Sequence, residues 1–214
     1  FSAISYSIDL HYGANLSSFY ALPEDVSVGN IMSSIESGVL GIIGEGVAAN
    51  LLPNGEWVGS LDFISPTSGY WIKMNEPGTL DLTGQPTDPS TVFDLHFGAN
   101  LVSYPFAGPT ALEEAFPQEA LDVIVGIIGE GVAASPNPVL GWVGSLSQFE
   151  GGKGYWAKVS EAISFEFIVD GSDSRTTNPI GTASDFGYTQ SMEQAFYFIE
   201  DVIFEDGSSI EEGD

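Results

Sequence analysis

The chain repeats itself at a constant interval. Asp9-Leu-His-Tyr-Gly-Ala-Asn-Leu16 returns as Asp94-Leu-His-Phe-Gly-Ala-Asn-Leu101, and Gly41-Ile-Ile-Gly-Glu-Gly-Val-Ala-Ala49 returns unchanged as Gly126-Ile-Ile-Gly-Glu-Gly-Val-Ala-Ala134. Trp57-Val-Gly-Ser-Leu61 matches Trp142-Val-Gly-Ser-Leu146, and Gly69-Tyr-Trp71 matches Gly154-Tyr-Trp156. Every pair lies 85 residues apart, so the blocks align without a gap. Such an offset marks a duplicated structural unit. The rare residues then sort into pairs. His11 and His96 are one position seen twice, as are Trp57/Trp142, Trp71/Trp156 and Lys73/Lys158. They belong to two copies of one module, which argues against a single site assembled from all of them.

The match sets the boundaries. The first module spans 1–84 and the second 91–170. Between them, residues 84–90 carry the Pro and turn formers of a linker. A second linker-like stretch, 171–179, leads to a different sequence, 180–214, an acidic segment that reads as the start of a further module. The chain opens on Phe1 without Met, which is the expectation for a mature or internal piece of something longer.

Most of each module reads as β. Tyr6, Ile8 and Leu10 alternate with polar residues, as do Leu80/Leu82 and Phe165/Phe167. Residues 39–49 read as a hairpin with glycines in its turn. Residues 70–74 form an aromatic and β-branched strand. One short helix per module is expected. Val28, Ile31, Met32 and Ile35 have helical spacing, and residues 110–113 form a capping-box pattern ended by Pro117. In the tail, 194–199 and 202–204 are strand candidates. The expected fold class is all-β: two tandem β-sandwich- or barrel-like repeats plus a partial β-rich C-terminal segment.

Composition narrows the function classes. Thirty acidic residues face four basic ones, a net charge of −26, although only 16% of residues are charged. Nucleic acid is an unsuitable partner, because phosphate binding needs clustered Lys and Arg. Anionic membrane surfaces are disfavoured too, and no apolar run approaches the ~20 residues of a spanning helix. With no cysteine, disulfides, Cys-ligated metals and thiol catalysis fall away. A hydrophobic fraction of 43% is enough for a core. The last 44 residues hold a third of the acid, with Arg175 as their only base. The charge reads as an extracellular, saline surface adaptation.

The repeated blocks resemble a module of secreted multidomain bacterial surface proteins. Its outline is Gly-x-Asn-Leu-x-Ser, a short helix, a Gly-rich hairpin, a Trp, Gly-Tyr-Trp and a closing strand. Here these are Gly13-Ala-Asn-Leu16 with Ser18, Gly44-Glu-Gly46, Trp57, Gly69-Tyr-Trp71 and residues 79–84. The second copy has residues 98–103, 129–131, Trp142 and 154–156, and lacks the final Gly at its close. The tail, with Gln194-Ala-Phe-Tyr-Phe198 and Gly213-Asp214, resembles the opening of another secreted module. The resemblance implies an extracellular or cell-surface setting and transfers no catalytic residue.

The candidate chemistry is sparse. The Gly41-x-x-Gly44-x-Gly46 run lacks the following helix that a dinucleotide site needs, so it reads as a hairpin. Glu45 and Glu130 read as solvated turn residues, and His11 and His96 as surface or structural histidines. Ser18 and Ser103 lie near the histidines without forming a triad pattern. The candidate binding residues are aromatic: Trp57, Tyr70, Trp71, Trp142, Tyr155 and Trp156, whose faces could stack on sugar rings. On a strand one of each Tyr-Trp pair points to the core and one outward. Asp170 and Asp173 are candidate metal residues, for Ca2+, in a loop that lacks the full calcium pattern. No other cofactor is indicated. The expected function is non-enzymatic: a segment of a stalk, filament or adhesin, with neighbouring modules or copies of itself as partners. The alternatives are a glycan-binding module or an appendage of a secreted hydrolase.

Overall fold

The computed structural model describes residues 2–168, all of it β-rich with short helical turns. The strands of the first repeat are β1 (Ile4–Leu10), β2 (Gly13–Ser17), β3 (Ala21–Leu22), β4 (Val39–Ile43), β5 (Ala48–Leu51), β6 (Trp57–Gly59), β7 (Tyr70–Met74) and β8 (Gly78–Pro86). Between β3 and β4 lie α1 (Val28–Ile31) and a 3-10 turn, Ser33–Ile35. The second repeat contains β9 (Val92–Leu95), β10 (Gly98–Ser103), β11 (Thr110–Ala111), α2 (Leu112–Ala115), α3 (Gln118–Leu121) and β12 (Ile124–Gly129). It continues through β13 (Val132–Asn137), β14 (Gly141–Gly144), β15 (Gln148–Phe149), β16 (Gly154–Val159) and β17 (Ile163–Glu166).

Both repeats follow one plan. A five-stranded antiparallel sheet has the order β2-β7-β4-β5-β6 in the first and β10-β16-β12-β13-β14 in the second. The strands at the ends of each repeat pair with one another, β1 with β8 and β9 with β17. Leu10 faces Gly78 across the end pair and Gly13 faces Met74 across the sheet pair, so the first ribbon continues the edge of the first sheet beyond a corner at residues 11–12.

The alternation in sequence explains the core. Ile8, Leu10, Leu80 and Leu82 point inward from the ribbon, Ile42 and Ile72 from the sheet, and Val28 and Ile31 from α1. Their polar neighbours stay outside, as period-2 strands require. The second repeat builds a separate core in the same places, with Phe93, Phe116, Phe149, Phe165 and Phe167 in ring-to-ring contact. Each repeat thus has its own core, and both belong to one compact unit.

Local details differ from expectation. The helix at 28–35 is a single α turn followed by a 3-10 turn, because Gly29, Asn30 and two serines are weak helix formers. The capping box at Thr110 does not form. Thr110 lies in β11 and its hydroxyl accepts a hydrogen bond from Tyr104 Oη, so Ala111 becomes the N-cap of α2 and makes no side-chain cap. A second turn, α3, follows Pro117. The interval 84–90 is half strand. β8 runs through Pro86 and pairs with β3, Leu22 facing Gln85 and Ala21 facing Pro86. Proline is tolerated there because it ends the strand, where no further ladder bond is needed. The strand candidates at 194–199 and 202–204 and the segment 180–214 lie outside the described residues.

Candidate functional site at the junction of the repeats

The repeated Gly-Ala-Asn-Leu motif builds a corner. Asn15 is buried beneath the bend between β1 and β2. Its side-chain oxygen accepts from His11 N at 2.8 Å, and its amide donates to His11 O at 2.9 Å and to Gly13 O and Ile72 O at 3.3 Å. Asn100 makes the equivalent bonds with His96 and Gly98. Asn suits the place because one side chain supplies both an acceptor and two donors. The corner turns the histidine ring outward and leaves the amide of the following Leu on the free edge of the sheet.

The other repeat occupies that edge. The tip of the β12–β13 hairpin brings Glu130 to β2, where Oε2 accepts from Leu16 N at 2.7 Å and Oε1 meets His11 Nε2 at 2.5 Å. The tip of the β4–β5 hairpin does the same in reverse. Glu45 Oε2 accepts from Leu101 N at 2.8 Å and Oε1 meets His96 Nε2 at 2.6 Å. Each repeat gives the other a carboxylate and receives one, the pattern of an isologous two-fold interface within a single chain. The glycines around each Glu have a local reason: Gly46 and Gly131 have φ of +71° and +70° and turn the hairpin so that the carboxylate projects.

Both histidine rings sit between two acceptors. His11 Nδ1 donates to Tyr12 O at 2.7 Å while Nε2 faces Glu130. His96 has Phe97 O at 2.8 Å and Glu45. A neutral imidazole has one N–H, so only the imidazolium satisfies both acceptors. Accordingly the backbone carbonyl first, and the glutamate second, hold each histidine above its ordinary value. Lys153 acts weakly against this at His11.

Backbone contacts complete the junction. Ser18 N donates to Gly152 O and Ser103 N to Thr67 O, which are equivalent bonds in opposite directions. Gly69 N donates to Leu101 O. Leu16 and Leu101 are 2% and 3% exposed, yet neither belongs to the core of its own repeat. They are buried against the other repeat. A Cβ at Gly154 would lie 3.1 Å from Leu16 Cδ1, and one at Gly69 would lie 3.0 Å from Leu101 Cδ1.

Beside the His11 latch opens a cleft of about 440 Å³ between the repeats. Asp9, His11 and Ser17 line one side, and Glu130, Gln148, Glu150 and Lys153 line the other.

The aromatic candidates are distributed, not gathered. Tyr70 and Tyr155 are buried, each hydroxyl accepting a backbone N–H, from Ser65 and Glu150, at 2.8 Å. Trp71 and Trp156 are half-buried on the opposite sheet face, in register with Leu16 and Leu101. This is the inward-outward split that alternation implies. Trp57 and Trp142 lie half-buried at the margins of the two cores. Asp170 and Asp173 lie outside the described residues, and among those described no group of three His, Asp or Glu is arranged for a metal. No described helix is long and apolar enough to cross a membrane. Glu45 and Glu130 are exposed turn residues as expected, and they are also the centres of the junction, a role not foreseen from the sequence. One signal pointed to them: a charged residue kept at the tip of a nine-residue block that is identical in both copies.

No protein-family model matches the chain, and no curated protein or solved structure matches it significantly.

Proposed function

We propose that the chain is a non-enzymatic structural segment of an extracellular surface protein, in which two duplicated modules act as one stiff unit. One observation carries this reading. The motif residues His, Glu, Asn, Leu and Gly are engaged at the corners and in the reciprocal junction, which supports a mechanical role for them among the described residues. A tether gains from such a junction, because neither module can reorient without breaking two carboxylate latches and the backbone bonds beside them. The acidic composition and the resemblance of the repeats to modules of secreted surface proteins support the setting.

Pulling the chain from its ends in a single-molecule force experiment tests the mechanics. At roughly 3.6 Å per extended residue, joint rupture of both modules releases on the order of 580 Å in one step. Two separate steps of about half that length would mean that the modules are independent beads. Antibody labelling of intact cells tests the location. Signal that appears only after permeabilisation would end the surface assignment.

A further inference from the structure

The two sides of the internal two-fold are not equally furnished. The framework residues of the cleft, Asp9, His11, Asn15, Leu16, Glu130 and Tyr155, recur as Asp94, His96, Asn100, Leu101, Glu45 and Tyr70. The loop that forms its wall does not. Gln148, Glu150 and Lys153 stand where the first repeat has Phe63, Ser65 and Ser68. The loop backbone is nevertheless the same in both copies, since Glu150 N and Ser65 N each donate to the buried tyrosine of their own repeat at 2.8 Å. Junction and scaffold are shared, while the groups that face the cleft have changed.

The changed groups are free to meet a ligand. The Lys153 ammonium forms no ion pair among the described residues, in a chain with 30 carboxylates. The Gln148 and Glu150 side chains bond to each other, at 3.2 Å. Asp9 keeps one oxygen on Thr79. Ser17 and Ser147 add hydroxyls, and Leu16, Val132 and Leu146 add apolar surface between them. The volume of about 440 Å³ falls within the range of small-molecule sites.

We propose that this cleft binds a neutral polyhydroxylated ligand, the terminal unit of a saccharide. The charge pattern selects the class. Three carboxylates, Asp9, Glu130 and Glu150, line the cleft together with Lys153 and the His11 ring. An anion meets the repulsion of a chain at −26, while Lys153 and the His11 imidazolium already offset two of the three lining carboxylates, so a cation finds little unspent negative charge there. A hydroxyl both donates and accepts, so it satisfies carboxylate, amide and ammonium without bringing a charge. The cleft shares His11, Leu16 and Glu130 with the junction, but its test turns on Glu150 and Lys153, so the structural role proposed above stands or falls on its own tests.

The experiment is a titration of the full chain, followed by NMR or calorimetry, with cellobiose, maltose and lactose as neutral probes. Digalacturonate serves as the anionic probe and a glucosamine dimer as the cationic one. The variant Glu150→Ser/Lys153→Ser carries the residues of the first repeat on the same backbone, so it retains the fold. The expected result is saturable binding of at least one neutral disaccharide, weakened at least tenfold in the variant while its thermal midpoint is unchanged. No neutral binding at tens of millimolar overturns the proposal, as does binding that the variant leaves intact. Tighter binding of the anionic or the cationic probe overturns the assignment of class.

Discussion

The repeats approach closely at two glycines, and a single methyl group there tests the junction. A Cβ at Gly154 would lie 2.7 Å from Ser17 O, and one at Gly69 2.8 Å from Val102 O, with the interface leucines about as near. Neither glycine needs a left-handed backbone, so the cost of alanine is steric. The obstacle is a backbone carbonyl in a paired strand, which cannot rotate away as a flexible side chain would. Overpacking of this kind costs ~1–3 kcal/mol. For a unit of this size ~2 kcal/mol lowers the thermal midpoint by roughly 4–8 °C. Both substitutions wedge open the same interface, so Gly69→Ala/Gly154→Ala should cost less than the sum of the singles. Calorimetry should also resolve its single transition into two, one per core. Gly108→Ala is the control, since nothing lies within 4 Å of its added Cβ. If both single variants and the double variant melt like the control, the two repeats do not meet in solution as described, and the argument for a joined unit fails.

Other substitutions probe the remaining parts. Asn15→Ala leaves the corner's backbone groups without partners and should cost ~2–4 kcal/mol in urea unfolding, with Asn15→Asp no better because a carboxylate cannot donate to three carbonyls. Glu130→Ala removes the acceptor of Leu16 N and should cost ~1 kcal/mol, falling with added salt. The histidine latches predict a pH dependence. Both pKa values are raised on folding, so their stabilisation is complete below the ordinary value of 6.5 and is lost as pH rises through the raised values. The gap in urea midpoint between the protein and His11→Gln/His96→Gln should therefore be larger at pH 6 than at pH 9, and an equal gap would refute the double-acceptor argument. Burial pushes Tyr155 up to about 12, with Tyr6 raised for the same reason. An ultraviolet titration should show these phenols ionising only as the fold is lost at strongly alkaline pH.

The sequence made the local structure legible and hid the junction. Alternation located β1, β8 and β17, and the glycines around Glu45 and Glu130 located the hairpins, because both signals arise within a few residues. Gly-x-Asn-Leu was visible as a motif, but its meaning needed the corner that Asn15 stabilises. The short helix expected before Pro117 forms as α2, but its Thr110 cap does not, because the Thr110 hydroxyl is engaged by Tyr104. The pairing of His11 with Glu130 spans 119 residues and depends on how one repeat sits on the other. Nothing in the spacing of either repeat encodes that placement. The tryptophans, prominent by rarity, proved half-buried elements of the sheet faces and core margins.

The divergence between the two copies separates what the fold requires from what it tolerates. Ile8, Phe19, Ile31, Ile64, Leu80 and Leu82 fill the first core, and the same six positions of the second hold Phe93, Tyr104, Phe116, Phe149, Phe165 and Phe167. At five of these six positions an aliphatic side chain in the first copy corresponds to an aromatic one in the second, with the topology intact, as expected where total volume and pattern matter more than identity. The junction has not drifted in this way. His, Asn, Leu, the hairpin Glu and the close-approach Gly are identical in both copies, because each meets a fixed partner at hydrogen-bond or van der Waals distance. A change on one side of a two-fold would need a matching change on the other, and within one chain that means two coordinated substitutions. Core positions can change one at a time, since neighbouring side chains repack. Introducing the second repeat's Phe165 into the first core, as Leu80→Phe, should therefore be recoverable by compensating substitutions such as Ile31→Ala. The cost of His11→Leu should not be recoverable by any change within its own repeat, because the group left without its partner, Glu130, belongs to the other.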